Sequence, residues 1–73
     1  MGKLRPIPAR EVLRILTQNG FHEVRRRGSH IVMQKVVGGA TTTVIVPDHR
    51  EIRMGTLASI VRQSQLPRAL FEK

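Results

Sequence analysis

The sequence predicts an α+β domain in two layers, with the order helix, three antiparallel strands, helix and a short C-terminal helical tail. Apolar residues recur at helical spacing near both ends of the chain and at alternate positions between them. Two glycine turns divide that central part into strands. A chain of 73 residues has room for one hydrophobic core, so we expect a single domain over residues 1–73.

The first helix is predicted from Pro8 to Gly20. Proline suits the first helical position because its missing N–H has no partner there, and glycine suits the left-handed cap after the last turn. The apolar residues expected on its inward face are Ala9, Val12, Leu13 and Leu16. This stripe predicts core packing.

Three strands are predicted over residues 21–27, 30–37 and 41–46. Gly28-Ser29 has glycine at the first central position of a tight II′ turn, and Gly38-Gly39 suits a second turn of the primed class. Pro47 ends the third strand because it cannot continue the hydrogen-bond ladder.

Two-residue turns also predict the register of the sheet. Arg27 is expected opposite His30, and Val24 opposite Met33. The face predicted to carry the helices comprises Val24, Ile31, Met33, Val44 and Val46. The open face comprises Arg25, Arg27, His30, Val32, Gln34, Thr43 and Ile45.

A second helix is predicted from about Met54, after the polar connector 48–53. Its inward residues should be Leu57, Ile60 and Val61. Pro67 then opens a short terminal turn in which we expect Leu70 and Phe71 to pack.

The charge balance indicates an anionic partner. The chain has 13 Lys and Arg against 5 Asp and Glu, a net charge of +8, which favours nucleic acid, or an acidic protein that shields the same surface, over charge kept only for solubility. Its only aromatic residues, Phe21 and Phe71, lie beside helix ends, so recognition of the nucleic-acid backbone and shape is expected rather than base stacking. With no cysteine, no apolar run long enough for a membrane and no secretory signal, we expect a cytoplasmic protein.

The reactive side chains favour acid–base chemistry. The chain has no thiol, and its three histidines follow no metal-ligand spacing, so we expect neither a metal nor another cofactor. Histidine beside several cations suits RNA cleavage, because RNA carries its own nucleophile, the 2′-hydroxyl. His30 is the best-placed candidate, directly after the Gly28-Ser29 turn.

Other residues are expected to support that reaction or a partner. His49 is a second candidate, because Pro47 should lie across from His30, whereas His22 is expected across from Lys35 at the far end and is interpreted as non-catalytic. Val32 and Ile45, apolar on a basic face, are candidates for a protein contact. The expected RNA-binding residues are Arg25, Arg26, Arg27, Gly28, Ser29, Lys35, Arg50, Arg53 and Arg62. Arg26 should contribute less, since it points toward the helix layer.

Two other functions are compatible with these residues. A histidine at the start of a strand is commonly an ordinary surface residue, and the domain would then be a non-catalytic RNA-binding module that docks on a duplex by shape. Alternatively, the cationic face serves only an acidic protein partner.

The sequence resembles the HicA-like toxins of bacterial and archaeal toxin–antitoxin pairs. The similarity covers about residues 8–66 and comprises, in order, Gly20-Phe21, the basic run into Gly28-Ser29-His30, Val46-Pro47-Asp48-His49, Glu51-Ile52, Gly55-Thr56-Leu57, Ile60 and Arg62-Gln63. Two departures concern helix ends: Ile7 stands where a Ser or Thr cap is common, and Gln65 replaces a usual glycine.

This resemblance implies a fold like a double-stranded-RNA-binding domain and metal-independent cleavage of messenger RNA. It implies inhibition by a HicB-like antitoxin. The family's catalytic histidine maps onto His30 in the Gly-Ser-His triplet, and His49 matches a second recurrent histidine.

Overall fold

The computed structural model describes residues 2–72, and its element order confirms the predicted α+β class. Met1 and Lys73, the ends of the expected domain, lie outside the described residues. No helix within residues 2–72 has the length and apolar character needed to cross a bilayer. The elements are α1 (Ala9–Gln18), β1 (His22–Arg27), β2 (His30–Val37), β3 (Ala40–Pro47), α2 (Met54–Ser64) and a terminal 3₁₀ turn (Arg68–Phe71).

Helix α1 follows Pro8, which lies immediately before the first helical residue instead of inside the helix. Its end is a Schellman motif around Gly20 (φ 94°): the Phe21 N–H donates to the Leu16 carbonyl at 3.0 Å and the Gly20 N–H to the Thr17 carbonyl at 3.2 Å. This closed end turns the chain directly into β1.

The inward face of α1 differs from the prediction at one position. Ile15 is buried, whereas Leu13 is only partly buried at the margin of the core. At about 100° per residue, Leu13 and Ile15 flank the stripe of Val12 and Leu16 at the same angle on opposite sides, so periodicity alone does not decide which of the two is buried.

The three strands form one antiparallel sheet in the order β1-β2-β3. The β2–β3 hairpin has the predicted register throughout, with Ile31 opposite Val46 and Val32 opposite Ile45. Gly38 and Gly39 both have positive φ, at 58° and 82°, which a type I′ turn requires. The turn thus sets the register of the hairpin.

The β1–β2 hairpin contains a bulge that the periodicity did not predict. Its pairing shifts between Glu23 and Arg25, so Glu23 lies opposite Met33 and Val24 is left unpaired and 43% exposed. The predicted Val24–Met33 pair and the inward position of Val24 are therefore wrong. The extra residue also moves His22 opposite Gln34 instead of Lys35.

The helices pack on one face of this sheet and leave the other open. Ile31, Met33, Val44 and Val46 are buried beneath them. In the terminal turn Phe71 is fully buried, but Leu70 is 41% exposed, so the expected packing holds for Phe71 alone. A single turn of 3₁₀ helix can direct only one of two adjacent side chains inward.

Helix α2 ends in a strained conformation. Gln65 is the only non-glycine within residues 2–72 with positive φ, at 60°. The buried Ser64 hydroxyl donates to the Val61 carbonyl at 2.8 Å and accepts the Leu66 N–H at 3.1 Å, which holds the chain in this turn. A side chain in this left-handed region costs about 1–2 kcal/mol.

Replacing Gln65 with glycine should therefore raise the free energy of unfolding by about 1 kcal/mol, because glycine adopts this conformation without strain. Gln63→Gly, at an exposed position inside the same helix, should lower it by up to about 1 kcal/mol. Urea denaturation measures both values. A loss of stability in both variants would contradict this account of Gln65.

Candidate active site

A cleft of about 750 Å³ opens at one end of the sheet and brings two histidines together. Its walls come from the starts of β2 and α2, the end of β3 and the loop 48–53 that follows β3. The lining residues are His30, Ile45, Pro47, His49, Arg50, Glu51, Ile52, Arg53 and Thr56. The histidines are 19 positions apart in sequence, so only the sheet and the loop place them around one space.

The β1–β2 turn and the sheet position His30. It is the first residue of β2, paired between Arg27 of β1 and Pro47 of β3. The next residue, Ile31, is fully buried, so alternation along the strand directs His30 to the open face, where it is exposed to solvent. An exposed imidazole at the mouth of a cleft is accessible to a large substrate.

Three backbone hydrogen bonds connect the loop that carries His49 to other segments of the chain. The Asp48 N–H donates to the Ser29 carbonyl at 2.6 Å, which ties the loop to the turn before His30. The Ala9 N–H donates to the His49 carbonyl at 3.0 Å. The Ile52 N–H donates to the Ile7 carbonyl at 2.7 Å within an isolated β-bridge. The position of His49 is thus set by main-chain contacts to distant segments.

The Arg26 side chain reinforces the link between β1 and the loop. Its guanidinium lies 2.9 Å from the Asp48 carboxylate and 3.4 Å from that of Glu23. All three side chains are almost half exposed, so each pair contributes no more than about 1 kcal/mol. Because both neighbours are anionic, Arg26 carries less free positive charge than the adjacent arginines.

Four arginines near the cleft keep their charge available. Within residues 2–72 none of Arg25, Arg27, Arg50 and Arg53 forms an ion pair. Arg25 and Arg27 lie on the open face beside His30, and Arg50 and Arg53 line the cleft. Glu51 is the one carboxylate among the lining residues, so the lining keeps a net positive charge.

The start of α2 also faces this space. Arg53 precedes the helix without a side-chain cap, and the first turn contains no acidic residue. The first-turn amides and the exposed Thr56 hydroxyl are therefore available to an anion. Sequence reasoning did not select Thr56; the signal was the absence of a capping residue before α2.

Two predicted RNA-binding residues, and the histidine interpreted as non-catalytic, lie away from the cleft. Lys35 is five positions along β2 from His30, about 17 Å at the rise of a strand, and its Nζ lies 5.8 Å from the centre of the Phe21 ring. Arg62 lies on the exposed side of α2, with a guanidinium nitrogen 3.4 Å from the Ser59 hydroxyl. His22 is paired with Gln34 toward the other end of the sheet.

The two residues predicted to contact a partner are adjacent on the open face but differ in accessibility. Val32 is only 9% exposed in the central strand, whereas Ile45 on the edge strand is 50% exposed. Ile45 therefore supplies most of the accessible apolar surface, and it lies at the rim of the cleft.

Fold and site together define a small basic α+β domain with a histidine-lined cationic cleft. Among residues 2–72 no group of three or more His, Cys, Asp or Glu residues is arranged to hold a metal ion. The sequence of residues 9–66 matches the family described as HicA toxin of bacterial toxin-antitoxin. The chain belongs to this family, which confirms the resemblance; a search of curated proteins found no match. Membership gives the chain a toxin role and implies an antitoxin partner.

The geometry of the cleft predicts a selective response to phosphate. Added inorganic phosphate should shift the imidazole NMR signals of His30 and His49, because an anion in the cleft lies beside both rings. The signal of His22, toward the opposite end of the sheet, should move much less. A heteronuclear NMR titration at constant pH and ionic strength measures all three, and equal shifts at His22 would contradict a localised site.

Proposed function

We propose that this protein is a metal-independent endoribonuclease that cleaves messenger RNA in the cytoplasm, with His30 as general acid or base. The observation that carries the proposal is the convergence of His30, His49 and unpaired arginines on one open cleft. Membership of the HicA toxin family supports it, because destroying messenger RNA stops protein synthesis and is an effective toxic activity.

The reaction divides into two proton transfers. A base takes the proton of the 2′-hydroxyl, the 2′-oxygen attacks the neighbouring phosphorus, and the bond from phosphorus to the 5′-oxygen breaks. The departing 5′-oxygen receives a proton from an acid. The products are a 2′,3′-cyclic phosphate and a free 5′-hydroxyl. His30 performs one of these transfers, and His49 is the candidate for the other because it lines the same cleft.

The cations stabilise the charge that develops on the phosphorane. Arg50 and Arg53 line the cleft, and Arg25 and Arg27 extend the positive surface along the open face. Positive groups already held in position lower the barrier without reorganising during the reaction. Arg26 contributes less to RNA binding because Asp48 and Glu23 neutralise it.

The turn before His30 lets the RNA backbone come close. A Cβ added to Gly28 would have no neighbour within 4 Å, so the turn is open toward solvent. Gly28 and Ser29 therefore offer little steric obstruction to a phosphate that approaches His30. Lys35 and Arg62 lie away from the cleft, so they contribute only to the general electrostatic attraction between the protein and RNA.

Replacing His30 with alanine should reduce cleavage of a model messenger RNA by about 10²–10⁴-fold, because one proton-transfer group is lost. His22→Ala, which removes another exposed histidine toward the far end of the sheet, should cleave like the parent. The assay includes EDTA, and mass spectrometry should find 2′,3′-cyclic phosphate ends.

Three results would contradict this mechanism. They are undiminished cleavage by His30→Ala, products that end in a 3′-hydroxyl, and a strict requirement for magnesium. Circular dichroism confirms that each variant is folded. RNA binding without cleavage by the parent protein would favour the non-catalytic RNA-binding module.

The open face suits an antitoxin of HicB-like type that covers the cleft. Ile45 is half exposed at the rim of the cleft. It lies opposite Val32 on the neighbouring strand, and Val32 in turn lies opposite Arg25. An apolar side chain at the rim of a cleft that unpaired arginines line fits a partner with an apolar contact and acidic neighbours. Such a partner would block access to His30.

Ile45→Asp should weaken binding of the cognate antitoxin by at least tenfold, because it buries an unpaired charge in the contact. Val36→Asp is the control: it also replaces a β-branched residue with aspartate on the open face of the sheet, at a position that is 61% exposed and does not line the cleft. Isothermal titration calorimetry with the purified antitoxin measures both. Equal affinity of the Ile45 variant and the parent would remove Ile45 from the interface.

A further inference from the structure

A second, smaller cleft of about 200 Å³ adjoins the candidate active site. Its lining residues are Pro8, Ala9, Arg10, Asp48, His49 and Arg50. His49 and Arg50 line both clefts, so the loop that carries them forms the wall between the two spaces. The smaller cleft therefore lies directly beside the larger one, on the other side of His49 and Arg50.

The smaller cleft is also cationic. Arg10 is exposed and forms no ion pair with any residue in the range 2–72, and the same is true of Arg50. Its only carboxylate, that of Asp48, lies 2.9 Å from the Arg26 guanidinium, which offsets its charge. Two uncompensated arginines thus face a space next to the histidines.

We propose that the smaller cleft binds a backbone phosphate that flanks the scissile one, with Arg10 as its principal contact. This inference rests on the proposed ribonuclease function. A phosphate held between His30 and His49 has a covalently linked neighbour on each side, and the surface past His49 leads directly to Arg10 and Arg50. The RNA strand therefore crosses the 48–53 loop, and Arg10 helps to hold the strand in position during cleavage.

Arg10 acts at a distance from the reacting atoms, so it is a positioning residue. A contact made equally in the bound state and the transition state affects KM and leaves kcat nearly unchanged. Such a contact also steepens the salt dependence of RNA binding. For a single strand, each phosphate contact makes the negative slope of log K against log salt steeper by about 0.7. These two signatures separate a phosphate contact from a structural effect on the active site.

The chain provides a matched control on the same helix. Arg14 is one turn further along α1 and 52% exposed, but its guanidinium is bound by Glu11 and lies 3.2 Å from the Gln18 side-chain oxygen. It lines neither cleft. Arg14→Ala therefore removes the same net charge from the same helix without touching the proposed subsite.

The experiment compares the parent, Arg10→Ala and Arg14→Ala on a short oligoribonucleotide with one mapped cleavage site. Arg10→Ala should raise KM about threefold, the size of an exposed charge contact, with kcat unchanged. Two further substrates carry a neutral methylphosphonate in place of the phosphate on one or the other side of the scissile one. On one of these substrates the effect of Arg10→Ala should vanish, and that substrate identifies the side that the smaller cleft binds.

The inference is overturned if Arg10→Ala and Arg14→Ala have the same KM and salt slope, or if the Arg10 effect persists on both neutralised substrates. Either result leaves the proposed function standing when the parent cleaves RNA. If the parent does not cleave, the proposed function fails, and binding to the same oligonucleotide still tests the subsite. In that case, a slope of log K against log salt that is shallower by about 0.7 for Arg10→Ala, but unchanged for Arg14→Ala, supports a phosphate contact.

Discussion

The candidate site depends on the main-chain hydrogen bonds that hold the 48–53 loop. One bond ties Asp48 to the turn before His30, a second ties His49 to the first residue of α1, and a β-bridge joins Ile52 to Ile7. Without them, a polar loop of six residues after a proline would sample many conformations, and the two histidines would share no defined space. These bonds connect the hairpin, the loop and the segment before α1 into one support.

The buried apolar residues extend toward both ends of the described chain. Ile7 and Ile52 are almost completely buried at the bridge, and Leu4 is buried nearby in the same apolar cluster. Phe71 is buried in that cluster although it follows the region that matches the family. The core of this small domain therefore fixes the backbone on both sides of the β-bridge that supports the 48–53 loop. The same apolar contacts stabilise the fold and maintain the geometry of the candidate site.

Charge is divided between structural and available groups. Arg14, Arg26 and Arg68 have carboxylate partners and contribute modestly to the surface of the fold. The arginines around the two clefts have none within residues 2–72, and their mutual repulsion is a cost to the free protein. A polyanion bound across the clefts would relieve that repulsion, so the net charge of +8 favours an anionic partner in this region rather than uniformly over the surface.

Interactions between residues close in sequence made most of the fold predictable from the sequence alone. Helical and alternating periodicity, the proline before α1 and the glycine turns each act within a few residues, and they predicted the element order, the β2–β3 register and the placement of His30 beside Arg27. Only the tertiary structure decided the bulge at Val24, because an unpaired residue in a strand leaves no periodic signal. It also decided the loop 48–53, which has no periodicity: hydrogen bonds to Ser29, Ile7 and Ala9, all distant in sequence, place His49 and create both clefts.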